Sequence, residues 1–177
     1  MHAFVDYMDF NQMAFVDALR MFLQSFRLPG EAQKIDRYML KFAERYTAGN
    51  PGVFANADTA YILAFSVILL NTDAHNPQVK KPMSKLEFVR NNRGIDDGKD
   101  LDEALLNGIY DEINVNEIRM KDEVEAAGPQ APAGTGIANA LATVGRDLQR
   151  EAYVWQSESM VNKTEVSILL LSDRCLS

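Results

Sequence analysis

Phe26-Arg27-Leu28-Pro29-Gly30-Glu31-Ala32-Gln33-Lys34-Ile35-Asp36-Arg37 is the stretch on which the chain turns. Pro29 has no N–H and biases Leu28 away from the α region, so a helix is expected to stop near Phe26. Gly30 lets the backbone double back at little cost. Glu31 falls in the first turn of a following helix, where an anion meets the positive end of the helix dipole. Taken alone, a glutamate there is ordinary capping chemistry. Both flanks carry a helical period. Upstream, Phe15, Ala18, Leu19, Phe22, Leu23 and Phe26 recur at three- and four-residue steps behind Asn11 as N-cap. Downstream, Ile35, Met39, Phe42 and Tyr46 continue that period until Thr47-Ala48-Gly49-Asn50-Pro51-Gly52, which reads as a helix stop. The first residues of the chain have helical character and no cap, as though the chain begins inside a helix.

A second stretch adds the central element. From Asn56 or Asp58 to Thr72 the sequence predicts a helix that is apolar nearly all round, through Tyr61, Ile62, Leu63, Phe65, Val67, Ile68, Leu69 and Leu70. Such a helix is either central in a bundle or lines a groove that a partner covers. A polar cluster, Asn71-Thr72-Asp73-Ala74-His75-Asn76, follows it and is closed by Pro77. Ser84-Lys85-Leu86-Glu87 fits a capping box and opens a short helix. Residues 91–100 are rich in turn formers, and Leu101, Leu105, Ile109 and Ile113 mark another helix. Beyond residue 122 the composition changes. Residues 123–136 form a flexible linker around a Pro- and Gly-rich run. In residues 137–177, Ile137, Leu141, Val144, Leu148, Ala152 and Trp155 make an amphipathic helix expected to dock on another part of a longer parent. No strand alternation and no internal repeat stand out, so the fold class is all-α.

Composition narrows the function classes. With 177 residues, the chain is about one domain, and 47% hydrophobic with 24% charged residues is a soluble globular balance. The net charge of −7 argues against a general binder of nucleic acid or of anionic membranes. Cys175 is the sole cysteine, so no disulfide forms within the chain. The first residues carry no basic n-region, and the apolar run of residues 60–70 falls well short of the roughly 20 residues a spanning helix needs. A cytoplasmic protein is expected. His2 and His75 are too far apart in sequence for zinc-ligand spacing, and no metal is expected. Asp96, Asp97, Asp100 and Asp102 lack the ligand alternation of a calcium loop and read as a solvated acidic loop. No phosphate-cradling glycine loop, nucleophile elbow or other cofactor motif occurs.

Residues 26–37 and residues 58–77 together resemble the two signature motifs of the Sec-seven domain, at the right separation. That family comprises the guanine-nucleotide exchange factors of Arf small GTPases. Asn91-Asn92-Arg93-Gly94-Ile95 and the Leu101 helix continue the resemblance to about residue 122. The downstream segment is similar to the region after that domain in the large Golgi exchange factors, the fungal type in particular. The resemblance implies a right-handed stack of antiparallel helices, of which this chain is the C-terminal part, spanning residues 1–122.

The same resemblance implies the site. Glu31 matches the family's catalytic glutamate, which enters the nucleotide site of the GTPase and makes no covalent change. Arg27, Asp36, Tyr61, Phe65, Ile68, Leu69 and Asn76 match the GTPase-binding set. Of these, Tyr61, Phe65, Ile68 and Leu69 are expected on one side of a groove, whereas Ile62 and Val67 are expected in the core. Family members trapped by brefeldin A carry Tyr-Ser, Asp and Met where this chain has Phe65, Ser66, Asp73 and Met83. The implied partner is an Arf-family small GTPase, GDP-bound or nucleotide-free, reached at Golgi membranes, with membrane contact only indirect. The competing reading is a non-catalytic helical module that binds a GTPase or a partner helix.

Overall fold

The computed structural model describes residue 5, residues 7–25 and residues 32–119, the first three of this last stretch by backbone alone. Expectations for the Pro29–Gly30 turn, for Glu31 and Arg27, and for the linker and helix beyond residue 122 lie outside the described residues. Within them the chain folds into five helices and no strand: α1 (Phe15–Ser25), α2 (Ala32–Gly49), α3 (Ala57–His75), α4 (Lys85–Asn91) and α5 (Glu103–Val115).

The apolar period decides which faces meet. On α1, Phe15, Ala18, Leu19, Phe22 and Leu23 are buried, and on α2 Ile35, Met39, Phe42, Ala43 and Tyr46 face them. Their rings interlock at angles that let positive ring edges meet negative faces. Phe15 stands edge-on to Tyr46 at 5.1 Å and to Phe54 at 5.4 Å, and Phe10 meets Phe42 at 5.4 Å. α2 packs along α3, α3 against α5, and α5 against both α4 and α1. Arg20 ties α1 to the end of α5: its guanidinium donates to Glu112 Oε1 at 3.1 Å and to the Asn116 carbonyl at 3.0 Å.

Helix ends differ from the expected ones where a distant side chain intervenes. α1 begins at Phe15 rather than just after Asn11. Asn50, buried at the end of α2, accepts the Gln12 N–H at 2.9 Å and donates to the Phe10 carbonyl at 2.8 Å. That holds the Phe10 segment as a turn, with Gln12 in the left-handed region at φ 58°. Gly49 has no side chain where the turn presses closest; an added Cβ would stand 2.9 Å from Asn11 Oδ1. α2 itself runs through Thr47 to Gly49, because the Thr47 hydroxyl donates to the Ala43 carbonyl and the Asn50 N–H bonds to the Tyr46 carbonyl. α3 likewise continues past Thr72 to His75, its N-terminus capped by the Asn56 side chain, which accepts the Thr59 N–H at 3.0 Å.

The acidic loop is not merely solvated. Asp96 Oδ1 accepts from the Ala55 N–H at 2.7 Å and the Thr59 hydroxyl at 3.0 Å, so it anchors the start of α3. Asp100 accepts the Gly94 N–H at 2.8 Å, and Asp102 caps α5 through the Ala104 N–H. Three of the four carboxylates therefore satisfy backbone donors that would otherwise be orphaned at turns and helix ends.

Asn50→Ala strips hydrogen bonds from the Phe10 and Tyr46 carbonyls and the Gln12 N–H. It should lower unfolding free energy by about 2–3 kcal/mol in urea titration; a change below about 0.5 kcal/mol would remove Asn50 from its bridging role. A second test concerns α4, where Ser84 and Glu87 form the expected capping box. The Ser84 hydroxyl, and then its N–H, donate to the Glu87 carboxylate and hold its pKa below the usual 4.5, helped by the nearby charges of Lys81 and Arg90. A lowered folded pKa means that the contribution of the box is present above the ordinary value and lost as pH falls through the folded one. In an NMR titration Glu87 should protonate below 4.5 in the wild type and move back toward 4.5 in Ser84→Ala.

Candidate functional site

α3 is the wall on which the sequence-derived site residues stand. Its first half faces α2. There the Tyr61 hydroxyl donates to the Asp36 carboxylate, joining two candidate partner-binding residues across the two helices. The Tyr61 ring stands edge-to-face on Phe65 at 5.0 Å. Tyr61, Ile62 and Leu69 are partly exposed, whereas Phe65 is 1% and Ile68 3% exposed. The expected groove stripe of Tyr61, Phe65, Ile68 and Leu69 is therefore corrected: Phe65 and Ile68 are core, and Ile62 reaches the surface in their stead. Val67 is core, as expected. The reason is geometric. Helices packed on several sides of α3 leave it a narrow open strip, which periodicity within α3 cannot locate.

The C-terminal end of α3, from Asn71 to His75, is polar, and its side chains reach out to other segments. The Asn71 amide donates to the Ile118 carbonyl at 3.0 Å and its oxygen accepts the Ile118 N–H at 2.8 Å, a two-point clasp on the chain beyond α5. Asp73 accepts the Met83 N–H. His75 Nε2 lies 2.7 Å from the Ile113 carbonyl, which can only accept, so Nε2 carries the proton and donates. Asn76 is the C-cap, and its side-chain oxygen accepts the Gln78 N–H at 2.9 Å to form an Asx turn.

Residues 76–84 cross from α3 to α4 along this end of the helix. Met83 in that loop is held from three directions: Asp73 takes its N–H, the Tyr110 hydroxyl donates to its carbonyl at 2.9 Å, and the Asn91 amide lies 3.8 Å from its sulfur. Asp73 and Met83, ten positions apart in sequence, are thus direct partners. Ser66 is buried within α3 beside Phe65. Asn71, Asn91 and Tyr110 are not among the site residues expected from the sequence, although Asn71 opens the polar cluster and Asn91 the 91–95 stretch. Asn71 carried a signal, as an amide in the last turns of an apolar helix; Tyr110 carried none.

Tyr61, Ile62 and Leu69 are thus the partly exposed large apolar residues of α3, and Asp36 stands beside them through its bond with Tyr61. Among the described residues no group of three His, Cys, Asp or Glu side chains is placed to hold a metal ion. No described helix is long and apolar enough to cross a membrane. A cleft of about 600 Å³ lies at the junction of α1, α3 and α5, lined by Arg20, His75, Val115, Asn116, Glu117 and Arg119. Its charged groups already pair with one another or with neighbours, Arg20 with Asp17 and Glu112, and Arg119 with Glu117.

Comparison with known proteins gives a consistent picture. Residues 1–118 match the family model of the Sec7 domain. The chain is 60% identical over 173 residues to the ADP-ribosylation factor guanine nucleotide-exchange factor sec71 of Schizosaccharomyces pombe, covering 93% of this chain and 10% of that protein. It is 52% identical over 171 residues to the factor SEC7 of Saccharomyces cerevisiae, covering 94% of this chain and 8% of that one. The chain thus spans no more than a tenth of the length of these relatives. Among solved structures it resembles the Sec7p catalytic domain, with TM-score 0.63 and 63% identity over 66% of this chain and 62% of that one. It also resembles a structure of ARF1-GDP bound to a Sec7 domain complexed with brefeldin A, with TM-score 0.62 and 42% identity over 69% of this chain and 62% of that one.

Proposed function

The chain belongs to the Sec7 domain family, and from that premise we propose that it is a guanine-nucleotide exchange factor, or the catalytic half of one, for Arf-type small GTPases. The observation that carries this reading is the family match over residues 1–118, which contains both signature stretches. It is supported by the relatives' names and by the neighbour that holds ARF1-GDP. It promotes release of GDP from the GTPase without any covalent change. Relatives of this kind point to vesicle traffic at the Golgi, with peripheral association through the GTPase or a longer parent chain.

In this mechanism the strip of Tyr61, Ile62 and Leu69 receives apolar side chains of the GTPase switch segments, an anchor of the hot-spot type. Phe65 and Ile68 act from beneath as the packed base that keeps this strip in place. Asp36, Asn76 and Arg27 supply polar contacts at its margin. Glu31 immediately precedes Ala32, the first residue of α2, and α2 meets the strip through the Asp36–Tyr61 bond. GDP is held largely by a lysine and Mg²⁺ around its β-phosphate. A carboxylate brought within about 4 Å of that phosphate opposes it by roughly 4 kcal/mol at an effective dielectric of about 20. It also competes for the lysine and leaves Mg²⁺ without a place. The exchange factor thereby stabilises the nucleotide-free GTPase, and GTP displaces it.

The second reading is a non-catalytic helical module that binds a GTPase or a partner helix. Release of fluorescent GDP from an Arf protein separates the two. The wild-type chain should accelerate release, and Glu31→Lys should abolish at least about a hundredfold of that acceleration while binding persists. Binding without release by the wild type would establish the module instead; equal release by both proteins would remove Glu31 from the mechanism.

Brefeldin A supplies a further test. Ser66, Asp73 and Met83 agree with the family's sensitive pattern and Phe65 departs from it by lacking a hydroxyl. Dose-dependent inhibition of exchange is expected, stronger in Phe65→Tyr than in the wild type. Unaltered exchange at saturating drug counts against the assignment of these four positions.

A further inference from the structure

We propose that Tyr110, on α5, is a positioning residue that builds the 76–84 segment of the partner-binding wall before any partner arrives. The inference rests on the exchange-factor reading for its functional part and on geometry for its physical part. The segment begins at the Asn76 turn and ends at the Ser84 capping box. Between these ends the Met83 peptide groups are tied to two different helices. The N–H goes to Asp73 of α3, and the carbonyl accepts the Tyr110 hydroxyl of α5 at 2.9 Å. Pro82, directly before Met83, has no N–H and a fixed φ, so it narrows the conformations the clamp has to hold.

The ring of Tyr110 is itself braced. Phe88 packs beside it with centroids 6.2 Å apart, and the Lys85 ammonium lies 5.6 Å from the ring centre. Lys85 in turn pairs with Asp111, the next residue of α5, at 2.6 Å. These contacts fix the hydroxyl in direction as well as in reach. Without it, the Met83 backbone is held by Asp73 alone, with only the Asn91 amide near its sulfur, and the loop gains freedom that a partner must remove on binding. Ordering a loop at the moment of association weakens binding, and ordering it beforehand strengthens binding without adding any contact to the partner. Tyr110 therefore acts on affinity for the GTPase rather than on the step that expels GDP.

The test compares the full 177-residue chain with Tyr110→Phe, which deletes the hydroxyl and keeps the ring. Hydrogen exchange followed by NMR should show the Met83 amide exchanging roughly three- to tenfold faster in the variant, the size expected for one lost hydrogen bond, with the amides of Phe42 and Leu63 unchanged. GDP release from an Arf-type GTPase should show KM raised by a similar factor at unchanged kcat, a split that a general loss of stability does not produce. Asp73→Asn, which weakens the other half of the clamp, should move both readouts in the same direction. Unchanged Met83 exchange in Tyr110→Phe overturns the clamp. Faster exchange with unchanged KM overturns its positioning role. If the wild type releases no GDP, the exchange-factor reading fails on its own, and the ratio of GTPase dissociation constants for the two proteins decides the positioning role instead.

Discussion

A helix that is apolar on nearly every face has to be surrounded, and α3 imposes that demand on everything described around it. Fully burying one of its large side chains contributes about 2 kcal/mol, so leaving the helix bare on any broad face would forfeit much of the stability of a domain this size. α2 covers it along one side and α5 along another, and near its start the Thr59 hydroxyl donates to the Asp96 carboxylate at 3.0 Å. What stays open is the strip at Tyr61, Ile62 and Leu69. The same constraint that makes the core thus leaves the surface on which the proposed function depends.

The polar end of α3 solves a second problem. Its last two turns project into places where neighbouring backbone would otherwise lack partners. Asn71 clasps Ile118, Asp73 takes the Met83 N–H, and His75 donates to the Ile113 carbonyl at the end of α5. Two of these three links join α3 to segments about forty residues away and the third to the loop that follows it, so this cluster is a hub of the tertiary structure rather than a trailing edge of a helix. It also places Asn76 and the 76–84 loop relative to the strip, which couples the shape of the proposed binding wall to the integrity of the fold.

Family membership and site geometry bear on different questions. The Sec7 match over residues 1–118 shows the family, and the proposed reaction rests on it. The described structure shows how the wall is held: by the Asp36–Tyr61 bond across two helices, and by the Asp73–Met83–Tyr110 linkage across two others. The second linkage joins two positions read independently from the family pattern, Asp73 and Met83, and adds Tyr110, which no pattern marked.

Local chemistry made much of this legible from the residues alone. Helical period marked α1, α2 and α5, an all-round apolar run marked α3, and the Ser84–Glu87 box marked α4; that box and the Asn56 cap stand where residue type predicts them, because caps act within one turn of chain. Two signature stretches identified the family. Period and propensity were blind to whatever a distant side chain decided: Asn50 delays the start of α1, and Asp96 anchors the start of α3. They were equally blind to which sides of α3 are covered, so Phe65 and Ile68 were placed in the groove and Ile62 in the core. The sequence determined that α3 must be buried and that its end is polar. Only the tertiary structure decided which residues stay open and which backbone groups that polar end holds, because burial depends on the neighbours of a helix in space, and those neighbours lie dozens of residues away along the chain.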